Sequence, residues 1–179
     1  MFAGLAIACA LGTTLLLAST PVAAQVHVTR QAPPAPWSTA RLPARKVPPI
    51  YLMAWHKAEN RRQCAPLVLA DAGREPRVRL RRASFSGGWA VAYDTPTVRS
   101  AFGIAGTGSK AGDPDQYRFP HHLAWSDGSS ASYGLEGGTG PKHLAYLTVA
   151  GQDCLYNIWS TRGAKHLERL LASLRKVDL

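Results

Sequence analysis

The stretch RVRLRRASFSGGWAVAYDTP, Arg77–Pro96, decides the fold class of this 179-residue chain. Its first five residues, Arg77-Val78-Arg79-Leu80-Arg81, alternate charged and apolar side chains, the period of a strand with one buried face. Phe85 to Tyr93 reads as a second strand, with Trp89, Val91 and Tyr93 on one face. Ala90 and Ala92 on the other face are small enough to lie beneath a helix. Asp94-Thr95-Pro96 breaks this strand, since proline supplies no N–H to a ladder.

Period two continues downstream. Ser100 to Ala105 is a third, shorter strand, and the turn Asp127-Gly128-Ser129-Ser130 joins strands near His122–Ser126 and Ala131–Leu135. A last pair, Leu144–Val149 and Cys154–Trp159, surrounds Ala150-Gly151-Gln152-Asp153. Two segments have helical spacing instead. Ile50–Arg62 follows Pro48-Pro49, and Leu52, Trp55 and Ala58 share a face. Near the end, Ala164, Leu167, Leu170, Leu171, Leu174 and Val177 recur every three or four residues, with Thr161 placed to cap the helix. The expected fold is α+β: an antiparallel sheet of about five to six strands, a short N-terminal helix, and an amphipathic C-terminal helix packed on one face. Trp89, Phe85, Tyr93, Trp159 and the Leu167–Leu174 stripe are expected in its core.

Upstream of residue 50 the composition changes twice. Residues 1–24 carry no charged side chain and end Val22-Ala23-Ala24, a signal-peptide pattern with cleavage before Gln25. Export to a periplasm or the exterior is therefore expected. Arg30, Arg41, Arg45 and Lys46 follow the apolar run and argue for the alternative, an uncleaved N-terminal membrane anchor. Residues 25–49 hold six prolines between Thr29 and Pro49 and read as a Pro-rich basic tether of polyproline II character. Residues 50–179 then form the single folded domain.

Export bears on the cysteines. With Cys9 removed in the signal peptide, Cys64 and Cys154 remain, and an oxidising compartment lets them pair as one disulfide. Neither has a histidine in a local catalytic signature.

The net charge of +10 comes from 21 Lys and Arg against 11 Asp and Glu. Its densest run is Arg77, Arg79, Arg81 and Arg82. On a strand the odd-numbered members share a face at ~6.5 to 7 Å spacing, which suits phosphates or carboxylates. A solvated edge strand guarded by charge is the plainer reading. The partner expected for this face is an anionic envelope component or an acidic protein; the compartment argues against nucleic acid and nucleotides.

Other patterns exclude more than they support. AFGIAGTGSK, Ala101–Lys110, has the glycines of a phosphate loop, but Ala111-Gly112-Asp113-Pro114 cannot open the helix that such a loop requires. Asp113-Pro114-Asp115 lacks the further ligands of a calcium loop. His121 and His122 point to opposite faces of a strand and cannot chelate one metal together. No cofactor and no metal are expected. The leading function is a non-enzymatic binding or envelope-associated module. One alternative is a secreted hydrolase using His121, His122 and Asp127, although no Gly-x-Ser-x-Gly elbow is present. An inhibitor or immunity-type protein is the other.

Overall fold

The computed structural model describes residues 31–72, 76–85, 87–107, 119–138 and 142–179. The expected signal peptide, most of the Gly106–Lys110 loop, the Asp113-Pro114-Asp115 turn and the Phe85 side chain lie outside what is described.

Most of the architecture is strand. After the short helix α1 (Pro36–Thr39) come β1 (Leu42–Pro43), a 3₁₀ turn at Ala44–Lys46 and α2 (Pro49–His56). The strands β2 (Leu67–Leu69), β3 (Arg79–Phe85), β4 (Gly88–Asp94) and β5 (Phe102–Gly106) follow. Beyond them lie β6 (His121–Ala124), β7 (Ser130–Leu135), β8 (His143–Thr148) and β9 (Leu155–Ser160), then α3 (Ala164–Ala172) and β10 (Leu174–Asp178). Seven strands form one antiparallel sheet in the order β3-β4-β5-β9-β8-β7-β6. A second, three-stranded sheet runs β1-β10-β2, parallel at β1 and antiparallel at β2. The antiparallel α+β reading holds at this level, with more strands than expected.

Alternation accounts for the large sheet. Trp89, Val91 and Tyr93 of β4, Phe102 and Ile104 of β5, and Tyr156 and Ile158 of β9 all point to one buried face. Helix α2 lies against β3 and β4 there, and α3 against β8 and β9. Tyr51 of α2 meets Tyr93, hydroxyl to hydroxyl at 2.7 Å, and accepts the Leu69 N–H at 3.3 Å. Burial pushes the Tyr93 phenol up to about 12 and raises that of Tyr51 as well. Both rings therefore sit neutral in the core.

Cys64 and Cys154 stand at disulfide distance, with Cα atoms 5.1 Å apart and a sequence separation of 90. The bridge ties the turn after α2 to the start of β9. Close by, Trp55 Nε1 donates to the Cys64 carbonyl at 2.9 Å, which folds the chain back directly after the helix. Helix α2 thus stops at His56 rather than running to Arg62.

Three expectations change. The stretch expected as a tether is folded from Ala35 onward: Ala35, Trp37 and Val47 are buried, and residues 31–179 form one unit. Prolines bar central strand and helix interior, but they suit the first turn of α1 and the edge position of β1. Trp37 supplies the apolar surface that anchors them. The C-terminal stripe is likewise not one helix. Ser173 closes α3, its hydroxyl donating to the Leu170 carbonyl at 2.9 Å. Leu174 and Val177 then pair with Leu69 and Leu42 as the middle strand of the small sheet. Thr161 does not cap α3; Gly163 holds that position, and the Thr161 hydroxyl donates to the Ala101 carbonyl at 3.0 Å. Among the described residues no helix is long and apolar enough to cross a membrane.

Candidate functional site

The arginine run divides. Register places Arg79 opposite Asp94 and Arg81 opposite Ala92, on the sheet face away from the main core. Arg82 pairs with Val91 and so projects from the other face, while Arg77 precedes the strand with φ +63°. A continuous row Arg77-Arg79-Arg81 is therefore not what the strand presents. Arg99 joins Arg79 and Arg81 around Asp94 at the end of β3 and β4.

Arg81 is held in place. Its Nε donates to Asp94 Oδ2 at 3.0 Å and its Nη2 to the Ser100 hydroxyl at 2.7 Å. The Ser100 N–H in turn donates to Asp94 Oδ1 at 2.7 Å. These bonds hold the Asp94 carboxyl below its usual range, the Arg81 bond contributing most. Ser100 has φ +53°, a left-handed conformation that costs a non-glycine residue about 1 kcal/mol or more. Its carbonyl accepts the Trp159 indole N–H at 3.1 Å. One strained serine thus joins the arginine clamp to the tryptophan.

Trp159 is buried as expected, but on the far face of the sheet from the main core. It packs there with Ala90, Ala92, Ala105 and Leu144 in a second small apolar cluster. Its ring lies across Gly103, where a Cβ would come within 2.3 Å of Trp159 Cζ2. Small residues on β3, β4 and β5 lower the floor beside it, and no described helix covers Ala90 and Ala92. The result is a trough of about 590 Å³, within the ~300 to 1,000 Å³ of ligand pockets. Leu144 and Tyr146 of β8 stand directly beside Trp159 and Asn157 and continue the same wall, and Phe119 stacks on Tyr146 with centroids 5.6 Å apart. Arg81, Arg99 and Lys142 line one end of it, with Glu136 bonded to Lys142 at 2.9 Å.

Asn157 sits in the middle. Register sets it between Tyr146 and Ala105, and the row continues to Ala90 and Ala83 on one side and to Ser132 and His122 on the other. The residue is only 7% exposed and lines the trough, yet among the described residues its Oδ1 has no hydrogen-bond partner. A buried amide oxygen left so costs about 1 to 3 kcal/mol. The sequence did carry a signal for it, a lone amide inside the apolar run Leu155–Trp159.

The residues of the expected hydrolase are not brought together. His122 lies on β6, the edge strand, whereas Asp127 occupies the turn beyond its other end, roughly 10 Å or more along the chain. Asp127 is engaged by the Trp37 Nε1–H and the Ser129 N–H, each at 2.9 Å. Desolvation works to raise its pKa, but these donors outweigh it and hold the carboxyl low. His121 stacks on Tyr133, centroids 5.0 Å apart. A serine–histidine pair does exist elsewhere, Ser160 Oγ to His166 Nδ1 at 2.8 Å, but the two residues are 0% and 4% exposed on the core face. Sealed there, it joins β9 to the start of α3 and meets no substrate. Among the described residues no group of three His, Cys, Asp or Glu is placed to hold a metal ion. No protein-family model, no curated protein and no solved structure matches this chain.

Proposed function

We propose that the protein is an exported, disulfide-held, non-enzymatic binding module whose basic β3 edge docks on an anionic envelope surface. The observation that carries this reading is the gathering of Arg79, Arg81 and Arg99 at one end of the sheet, in a chain of net charge +10. Arg81 is fixed by Asp94, so an arriving phosphate meets a guanidinium that has little side-chain entropy left to lose. Arg79 and Arg99 are exposed beside it and supply the long-range attraction. The cysteine pair supports the compartment, since such a bond persists where thiols are not kept reduced.

Co-sedimentation with phosphatidylcholine vesicles, with and without about 30 mol% phosphatidylglycerol, tests it between about 50 and 300 mM salt. Binding is expected only to the anionic vesicles and should weaken as salt rises. Each basic residue near such a surface contributes about 1 kcal/mol, so Arg79→Glu with Arg99→Glu should weaken binding tenfold or more. Arg82→Glu, on the opposite face of the same strand, should do much less. An equal loss in Arg82→Glu, or no anionic binding at low salt, sinks the docking face.

A further inference from the structure

Beyond Arg81 and Arg99, the trough holds chemistry that docking on a charged surface does not use. We propose that it is a binding site for a small soluble amphiphile with three features: a flat apolar body, an N–H or O–H donor within it, and an anionic group at one end. Each feature answers one observation, and none depends on the envelope reading.

The flat body follows from the walls. Trp159 and Tyr146 are ring surfaces on the adjacent strands β9 and β8, the alanines of β4 and β5 lie beside them, and Trp159 is fixed by its bond to the Ser100 carbonyl. Rings laid on such walls gain both buried area and stacking. The donor follows from Asn157. It is more than nine-tenths buried, it lines the trough, and its oxygen is unpartnered. The terminal torsion of an asparagine is broad, so the amide turns at little cost to offer that oxygen to a ligand. A ligand donor satisfies the buried acceptor that the described residues leave unmet in the trough. The anionic end follows from the mouth. Arg81 and Lys142 are already positioned by Asp94 and Glu136, and Arg99 stands with them. Arg81 stands two residues along the strands and three strands across from Asn157, and its guanidinium reaches toward Asp94 and Ser100, so the anionic group lies toward the Ser100 end of the trough.

Indole-3-acetate carries all three features and is the probe. Two relatives each remove one: 1-methylindole-3-acetate lacks the N–H, and indole-3-acetamide lacks the charge. The full chain, labelled with ¹⁵N and never reduced, is titrated with each to ~1 mM and followed by amide shifts. Indole-3-acetate is expected to move Ala90, Ala92, Asn157 and the Trp159 indole. Losing the N–H should weaken binding about 3- to 10-fold, as should losing the charge. In Asn157→Leu the methylation penalty should vanish while the charge penalty remains. Should that variant not fold, the three-ligand series on the unsubstituted protein decides alone. The proposal is overturned if no probe shifts these residues or if all three bind equally. It is also overturned if methylation costs the same in Asn157→Leu as in the original. A concentration-dependent dimer that shifts the same residues without probe would assign the trough to a second copy and overturn it too.

Discussion

Replacing Trp37 by alanine tests whether residues before position 50 belong to the folded unit. The ring is 2% exposed, lies 5.2 Å from Trp125 centroid to centroid, and donates to Asp127 at 2.9 Å. A buried tryptophan removes about 200 Å² from water, worth at most ~5 kcal/mol at ~25 cal/mol/Å². Large-to-small changes of this kind cost about 3 to 5 kcal/mol in practice. The bond to Asp127 adds little, because that carboxylate is exposed and water replaces the indole. Trp37→Phe should therefore cost about 1 kcal/mol or less, and Trp37→Ala about 3 to 5. With a urea slope of ~2 kcal/mol/M, the alanine variant moves the unfolding midpoint by roughly 1.5 to 2.5 M and the phenylalanine variant by ~0.5 M. Near-UV circular dichroism should lose the contribution of the Trp37–Trp125 pair in both. A midpoint unmoved in Trp37→Ala would show that this segment is a spacer and refute the packing argument.

Removing both cysteines, Cys64→Ala with Cys154→Ala, opens a loop with a separation of 90 residues and should cost about 4 to 5 kcal/mol by chain entropy. The same loss should appear when the unsubstituted protein is reduced, and an unchanged midpoint in both would mean the bridge adds nothing. Stability should fall on the alkaline side. Tyr93 titrates near 10 when unfolded and at about 12 when folded, and Tyr51 is raised too. Their contribution is complete below pH 10 and is lost as pH rises through 12, about 2 to 3 kcal/mol for Tyr93 alone. Denaturation curves between pH 9 and 12 read it, and Tyr93→Phe should flatten the slope. Gly103→Val places atoms where Trp159 Cζ2 and the Val91 carbonyl already lie. It should lower stability by about 2 kcal/mol or more and shift tryptophan emission to the red, and a wild-type thermal midpoint would contradict the close approach.

Period two was enough to find most of the large sheet, because each of those strands keeps one face in the core. Trp89, Val91 and Tyr93 show the rule at its plainest. It was not enough where both faces are covered. Leu67, Val68 and Leu69 are all buried in succession, so β2 shows no alternation at all. Leu174 and Val177 deceived for a related reason: a spacing of three continues a helical stripe and also fits a central strand buried on both sides. The trough was invisible since its parts come from β3, β4, β5, β8 and β9, brought together only by pairing of distant segments. Of the arginines, the sequence placed Arg79 and Arg81 correctly on one face. It could not show that Arg81 is committed to Asp94, a contact made across a hairpin.

The small sheet also governs when the protein can finish folding. Its middle strand, Leu174–Asp178, pairs with Leu42 and Pro43 on one side and with Leu67–Leu69 on the other. More than a hundred residues therefore separate β10 from each of its two partners. Contacts of such sequence separation slow folding toward the millisecond-to-second range typical of non-local β topologies. They also form last when a chain emerges N-terminus first. Until residue 174 is free, the apolar strands β1 and β2 have no strand to pair with, so the small sheet closes only after the large one can form.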